Sequence, residues 1–94
     1  MPTYIMLTSL TSDGVKTIKN HPGRVHEVNK EMEQLGVKVV SQWATLGEYD
    51  FVSVVEAPDL ATVARVSVAL GARGSTKIET LPALTIDELL AALE

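Results

Sequence analysis

Gly47-Glu48-Tyr49-Asp50 sets a phenol beside a carboxylate. Such a pair can hold a small ligand or take a proton from one. The same four residues suit a tight hairpin, in which the glycine supplies positive φ and Asp50 bonds nearby backbone. Alternation along a strand sends adjacent side chains to opposite faces, so Tyr49 and Asp50 need not share one pocket. His21 and His26 are the only imidazoles. Five residues apart on a helix, they stand about 140° from each other, a poor arrangement for gripping one metal ion. No metal site is expected within the chain, although one histidine per subunit could join a site shared between copies. Tyr49, Asp50 and His26 are therefore the candidates for proton transfer.

Other constellations give less. Asp50 and Glu56 are six residues apart on one strand, about 20 Å by the strand rise, too far for a close carboxylate pair. Glu56 is expected on the helix-covered face, where Arg24 or Lys16 could pair with it. No Gly-x-Ser-x-Gly elbow or Walker-type loop is present. Gly71-Ala72-Arg73-Gly74 follows a helix instead of opening one, so it reads as a C-cap and turn and not as a phosphate cradle. The chain has no cysteine, which removes disulfides and zinc–thiolate sites. No motif calls for a cofactor.

Ninety-four residues fit one domain, residues 1–94. Apolar residues are 46% of the chain but aromatics only 4%, so aliphatic side chains build the core and their excess suggests a second buried surface between subunits. The net charge of −4 and the scatter of basic residues argue against nucleic acid as a partner. No stretch reaches the roughly 18 apolar residues that cross a bilayer, and the first residues lack a signal-peptide pattern. The cytoplasm is the expected compartment.

These residues must be positioned by alternating strands and helices. Residues 3–10 read as a strand with apolar residues on both faces, hence central. Residues 11–14 read as a loop and 15–20 as a short helical turn. His21-Pro22-Gly23-Arg24 opens the first long helix, with Pro22 in its first turn, Val25, Val28, Met32 and Leu35 in one stripe and Gly36 as its stop. Strands are predicted over 37–46 and 49–56, joined by Gly47-Glu48. Asp59 caps a second helix whose stripe is Leu60, Val63, Ala64, Ser67 and Leu70. A fourth strand is predicted over 75–82. Thr85 and Glu88 then open a short amphipathic tail helix bearing Ile86, Leu89, Leu90 and Leu93. The sum is α+β, a ferredoxin-like βαββαβ sandwich with a four-stranded antiparallel sheet and a short C-terminal helix.

Strict alternation puts Asp50, Val52, Val54 and Glu56 under the helices. It puts Tyr4, Met6, Ser41, Trp43, Tyr49, Phe51, Ser53 and Val55 on the open face. So apolar a patch is expected to be covered, by a partner subunit or by a ligand between two such faces.

Several tracts resemble the GYD-domain family of small bacterial proteins. They are Thr45-Leu46-Gly47-Glu48-Tyr49-Asp50, Val55-Glu56-Ala57-Pro58-Asp59, Ala69-Leu70-Gly71-Ala72-Arg73-Gly74 and Thr80-Leu81-Pro82-Ala83, with Gly14, Lys16, Pro22 and Arg24. The resemblance covers nearly the whole chain in the family's order and spacing. It implies a fold related to the dimeric α/β barrels, whose subunits pair through their open sheet faces, and it implies no reaction. Trp43 departs from the tyrosine expected near that position, so a pocket tuned to that residue would differ.

The leading expectation is a homo-oligomer, a dimer or higher, that binds a small apolar molecule. Its site would lie between sheet and helices or at the subunit interface, lined by Trp43, Tyr49 and Phe51 with Tyr4 and Met6 on the same face. The alternatives are a cofactor-free isomerase or monooxygenase using Tyr49 with Asp50 or His26, and a structural assembly unit whose tail helix docks on a neighbour.

Overall fold

Capping chemistry and glycine stops divide the chain into eight elements. The computed structural model describes residues 1–94: β1 (Thr3–Leu10), α1 (Ser12–Asn20), α2 (Arg24–Gln34), β2 (Lys38–Ala44), β3 (Phe51–Glu56), α3 (Leu60–Gly71), β4 (Thr76–Ala83) and α4 (Ile86–Ala92). Asp59 Oδ1 accepts from the amide of Thr62 at 2.8 Å, which starts α3 at the predicted cap. Thr85 and Glu88 form a reciprocal capping box, each bond 3.0 Å long, at the head of α4. Gly36 at φ +98° and Gly47 at φ +135° occupy backbone that residues with a Cβ rarely adopt, one closing the α2–β2 connection and the other the β2–β3 turn.

The strands form one antiparallel sheet in the order β2-β3-β1-β4, and the fold is the ferredoxin-like α+β sandwich. β1 is central, paired to β3 and β4, as its two apolar faces required. The core joins Tyr4, Met6 and Val55 of the sheet to Met32 of α2 and to Val63, Val66 and Leu70 of α3. No helix is long and apolar enough to cross a membrane.

Three expectations need correction. The span 11–20 is not a loop and a turn but a nine-residue helix. Thr11 caps it by accepting from Gly14 N at 3.2 Å, and Gly14 lies inside it because only a hydrogen fits there. A Cβ on Gly14 would stand 2.1 Å from the carbonyl oxygen of Ser75. The buried stripe of α3 is Val63, Val66 and Leu70, while Leu60 is 53% exposed, so the stripe is rotated from the one read in the sequence.

The third correction concerns the faces of the sheet. Tyr4, Met6, Ser53 and Val55 are buried beneath the helices, and Phe51 shares their parity on β3. The open face carries Val52, Val54 and Glu56 instead, the reverse of the expected assignment. Glu56 lies opposite Thr3 and Lys38, away from the helices that hold Arg24 and Lys16. A bulge between Val39 and Ser41 breaks the alternation of β2. Val39 therefore pairs with Val55 on the helix side, whereas Ser41 and Trp43 pair with Val54 and Val52 on the open side. One open-face row runs Trp43, Val52, Leu7, Glu79 and the next Ser41, Val54, Ile5, Leu81.

Candidate functional site

The main cleft lies between the helix side of the sheet and α1 and α2. Two anchors shape it. At one end, Thr11 fastens the head of α1 to the α3–β4 turn, its amide donating to Ser75 O at 3.0 Å and its hydroxyl to Gly74 O at 2.9 Å. At the other end, Asn29 of α2 and Gln42 of β2 exchange amide hydrogen bonds of 2.7 and 3.3 Å. The space left between them is about 290 Å³. This is near the lower bound of about 300 Å³ for small-molecule sites.

Its walls are apolar, with Met6, Leu10, Val28, Met32, Phe51 and Ile78 among them. Set among them is a polar chain. Asn29 donates to Gln42, and Gln42 Nε2 donates in turn to the hydroxyl oxygen of Ser53 at 2.9 Å. Ser53 is 3% exposed, so this hydroxyl is a directional group inside an apolar surround. The only charged residues of the lining are Arg24 and Arg73. Arg73 bonds the carboxylate of Glu31, and that bond holds Glu31 below the usual carboxylate range and Arg73 above its own.

A second groove lies at one end of the open face, lined by Leu7, Ser9, Glu48, Tyr49, Lys77 and Glu79 among others. The Tyr49 hydroxyl donates to Glu79 Oε2 at 2.5 Å. That bond first, and then burial and the charges of Glu48 and Glu79, push the phenol up from 10 to about 12. Tyr49 therefore keeps its proton at neutral pH and acts there as a donor.

The candidates from the sequence are split between the two sides of the sheet. Met6 and Phe51 line the main cleft. Tyr4 is buried in the core at 5% exposure and is not part of the cleft lining. Trp43 stands on the open face, 56% exposed, and Tyr49 in the groove at its end. Asp50 faces neither cavity: Oδ2 accepts from the amide of Leu10 at 2.7 Å, and its own amide donates to Thr8 O. It ties the end of the hairpin to β1. His26 is exposed on α2, across the sheet from Tyr49, so the two are not brought together. His21 bonds Glu27 Oε2 at 2.8 Å, which is the main reason the Glu27 carboxyl lies below its ordinary range.

Sequence reasoning missed Arg24, Asn29 and Gln42 as cleft residues and placed Ser53 on the wrong face. One signal was available: a serine in the middle of Val52-Ser53-Val54-Val55 interrupts an otherwise apolar strand. A buried hydroxyl in such a run needs a partner, and the partner is the amide of the neighbouring strand.

The GYD domain matches residues 4–93 of the chain. A Thermus thermophilus protein named "Glutamine synthetase and cystathionine beta-lyase binding protein" is 53% identical over 95 residues, which cover 100% of both chains. The crystal structure of TTHA0845 from the same organism has the same fold, with a TM-score of 0.58 at 23% identity over 90% of this chain and 95% of that one. The match along nearly the full length and the 53% identical relative agree with the tracts read in the sequence, and the chain belongs to the GYD-domain family.

Proposed function

We propose that this GYD-domain protein is a cytoplasmic homo-oligomer that binds a small molecule in the cleft between α1, α2 and the sheet. The observation that carries the reading is the Asn29–Gln42–Ser53 chain set into an apolar cavity of about 290 Å³. A few converging polar groups inside an apolar pocket orient a ligand without supplying any chemistry to it. Oligomerisation has separate support. Only 11 of 94 residues are buried in one copy, and a second copy would cover the open rows that carry Trp43, Leu7, Ile5 and Leu81. The tail helix α4 buries none of its residues, and Ile86, Leu89, Leu90 and Leu93 all face solvent in one copy. Burying a large apolar side chain contributes about 1.5–3 kcal/mol, so a handful of these residues is enough to favour association.

Native mass spectrometry of freshly purified protein tests both halves. A dimer or larger species that carries an extra small mass is the expected result. A monomer, with the open face still accessible, would overturn the oligomer.

A second reading is that the protein docks on metabolic enzymes. It is favoured by the name of the 53% identical relative, which is described as binding glutamine synthetase and cystathionine β-lyase. Titrating each purified enzyme with this protein and following complex mass by light scattering tests it. Masses that simply add as for unmixed components would remove this reading and leave the cleft untouched.

A further inference from the structure

We infer that the cleft ligand is a small amphipathic monoanion, a carboxylate on an apolar body, whose charged end is received by Arg24. The inference rests on the small-molecule reading of the cleft and adds the chemistry of what fills it.

The sign of the charge comes from the lining. The chain has twelve acidic and eight basic residues, yet the cleft is lined by two arginines and by no aspartate or glutamate. Of the two, Arg73 is already bonded to Glu31, so its charge is locally balanced. Arg24 is different. Its closest carboxylate oxygen is Glu27 Oε1 at 3.7 Å, beyond hydrogen-bond distance, and the other oxygen of Glu27 is held at 2.8 Å by His21. Arg24 is thus only loosely paired with Glu27, with no hydrogen bond as short as 3.5 Å, and a planar, multi-donor cation stands at the cleft with most of its donors free. A carboxylate is the group that such a fork receives best.

The polarity of the remaining groups points the same way. Asn29 uses one of its two amide hydrogens on Gln42 and keeps the other. Ser53 accepts from Gln42 and keeps its own hydroxyl proton. These two donors suit an acceptor-rich head. The carbonyl and hydroxyl oxygens of the same residues keep a lone pair each, so the sign of the head is set by Arg24 and by the absence of any carboxylate from the lining. The body of the ligand is set by Val25, Val28, Phe51 and Ile78, which offer only apolar contact. A cavity of about 290 Å³ has room for a short branched chain or a single ring as that body.

The test is a ¹⁵N-resolved NMR titration of the full chain with 4-methylpentanoate and phenylacetate, each compared with its neutral amide and with isoamylamine. Saturating shifts of the Val28, Asn29, Phe51 and Ser53 amides are expected with the two acids. Loss of a hydrogen bond to a charged group corresponds to roughly tenfold or more in affinity, so the acids should bind that much better than their amides. Arg24→Gln, whose dispersed spectrum reports an intact fold, should abolish that preference. Amides that bind the cleft as well as the acids, or a preference that survives Arg24→Gln, would overturn the anion while leaving the cleft as a ligand site. If neither acids nor amides move the cleft resonances, the small-molecule reading falls together with this one.

Discussion

Gln42 and Ser53 face each other across the β2–β3 ladder, and the amide of one donates to the hydroxyl oxygen of the other at 2.9 Å on the floor of the main cleft. That contact exists because the bulge after Val39 turns Gln42 toward the helices. Were Val40 taken into a regular alternation in place of the bulge, Gln42 would point to the open face, and Asn29 and Ser53 would both lose their partner.

Replacing Gln42 by leucine should therefore destabilise the fold by about 1–3 kcal/mol, because two polar groups are left without a bond in a poorly solvated place. Ser53→Ala should cost less, since Gln42 keeps its exchange with Asn29. The double variant should cost less than the sum of the two, by at least about 0.5 kcal/mol. Chemical denaturation of the four proteins measures this, and strict additivity would show that the bond contributes nothing.

Gly14→Ala should lower stability although alanine is the better helix former. Helix propensity favours alanine by about 1 kcal/mol. Against that, the added methyl meets the Ser75 carbonyl at 2.1 Å, and backbone cannot rotate away as a side chain can. Crowding of this kind costs about 1–3 kcal/mol or more, so the net change should be a loss and should loosen the α1 end of the cleft. Gly23→Ala is the control, with open space around its Cβ and an ordinary φ of −60°, and should be close to neutral. Thermal unfolding of both variants compares them directly; a Gly14→Ala protein as stable as the parent would contradict the close approach.

The Tyr49 phenol should titrate at about 12, and ultraviolet absorbance against pH should lose that transition in Tyr49→Phe. The sign of the linkage follows from the direction of the shift. A phenol whose folded value is raised contributes stability that is fully present below its ordinary value of about 10 and is lost as pH rises through about 12. The stabilities of parent and Tyr49→Phe should therefore converge above pH 10. A difference between them that stays constant from pH 9 to 12 would count against the Glu79 bond.

Trp43→Asp should leave the subunit folded and break the oligomer. The side chain is 56% exposed in one copy, so little packing is lost, while a carboxylate on the edge strand of that face opposes its burial against a second copy. Removing residues 85–94 should likewise spare the fold, since α4 buries nothing in its own chain. Circular dichroism together with sedimentation velocity separates folding from association. Unchanged mass in both variants would show that neither surface is an interface.

The sequence by itself determined the elements and their order, except α1, which read only as a loop and a short turn. Caps and stops are local: Asp59 and Thr85 find amide donors within three residues, and Gly36 and Gly47 are needed wherever φ is positive. The apolar character of both faces of β1 likewise announced its central place. Which face looks toward the helices was not local. Strand periodicity gives two sets of residues but no sign when both are apolar, as with Val52 and Val54 against Ser53 and Val55. The choice is made by the volume that α2 and α3 offer to Tyr4, Met6 and Val55, together with a bulge that no residue of β2 announces. The cleft is a product of that choice. It brings Arg24 and Asn29 of α2 to Gln42 and Ser53 of the sheet, residues as far as 29 positions apart in the chain, and only the packed tertiary structure makes them one site.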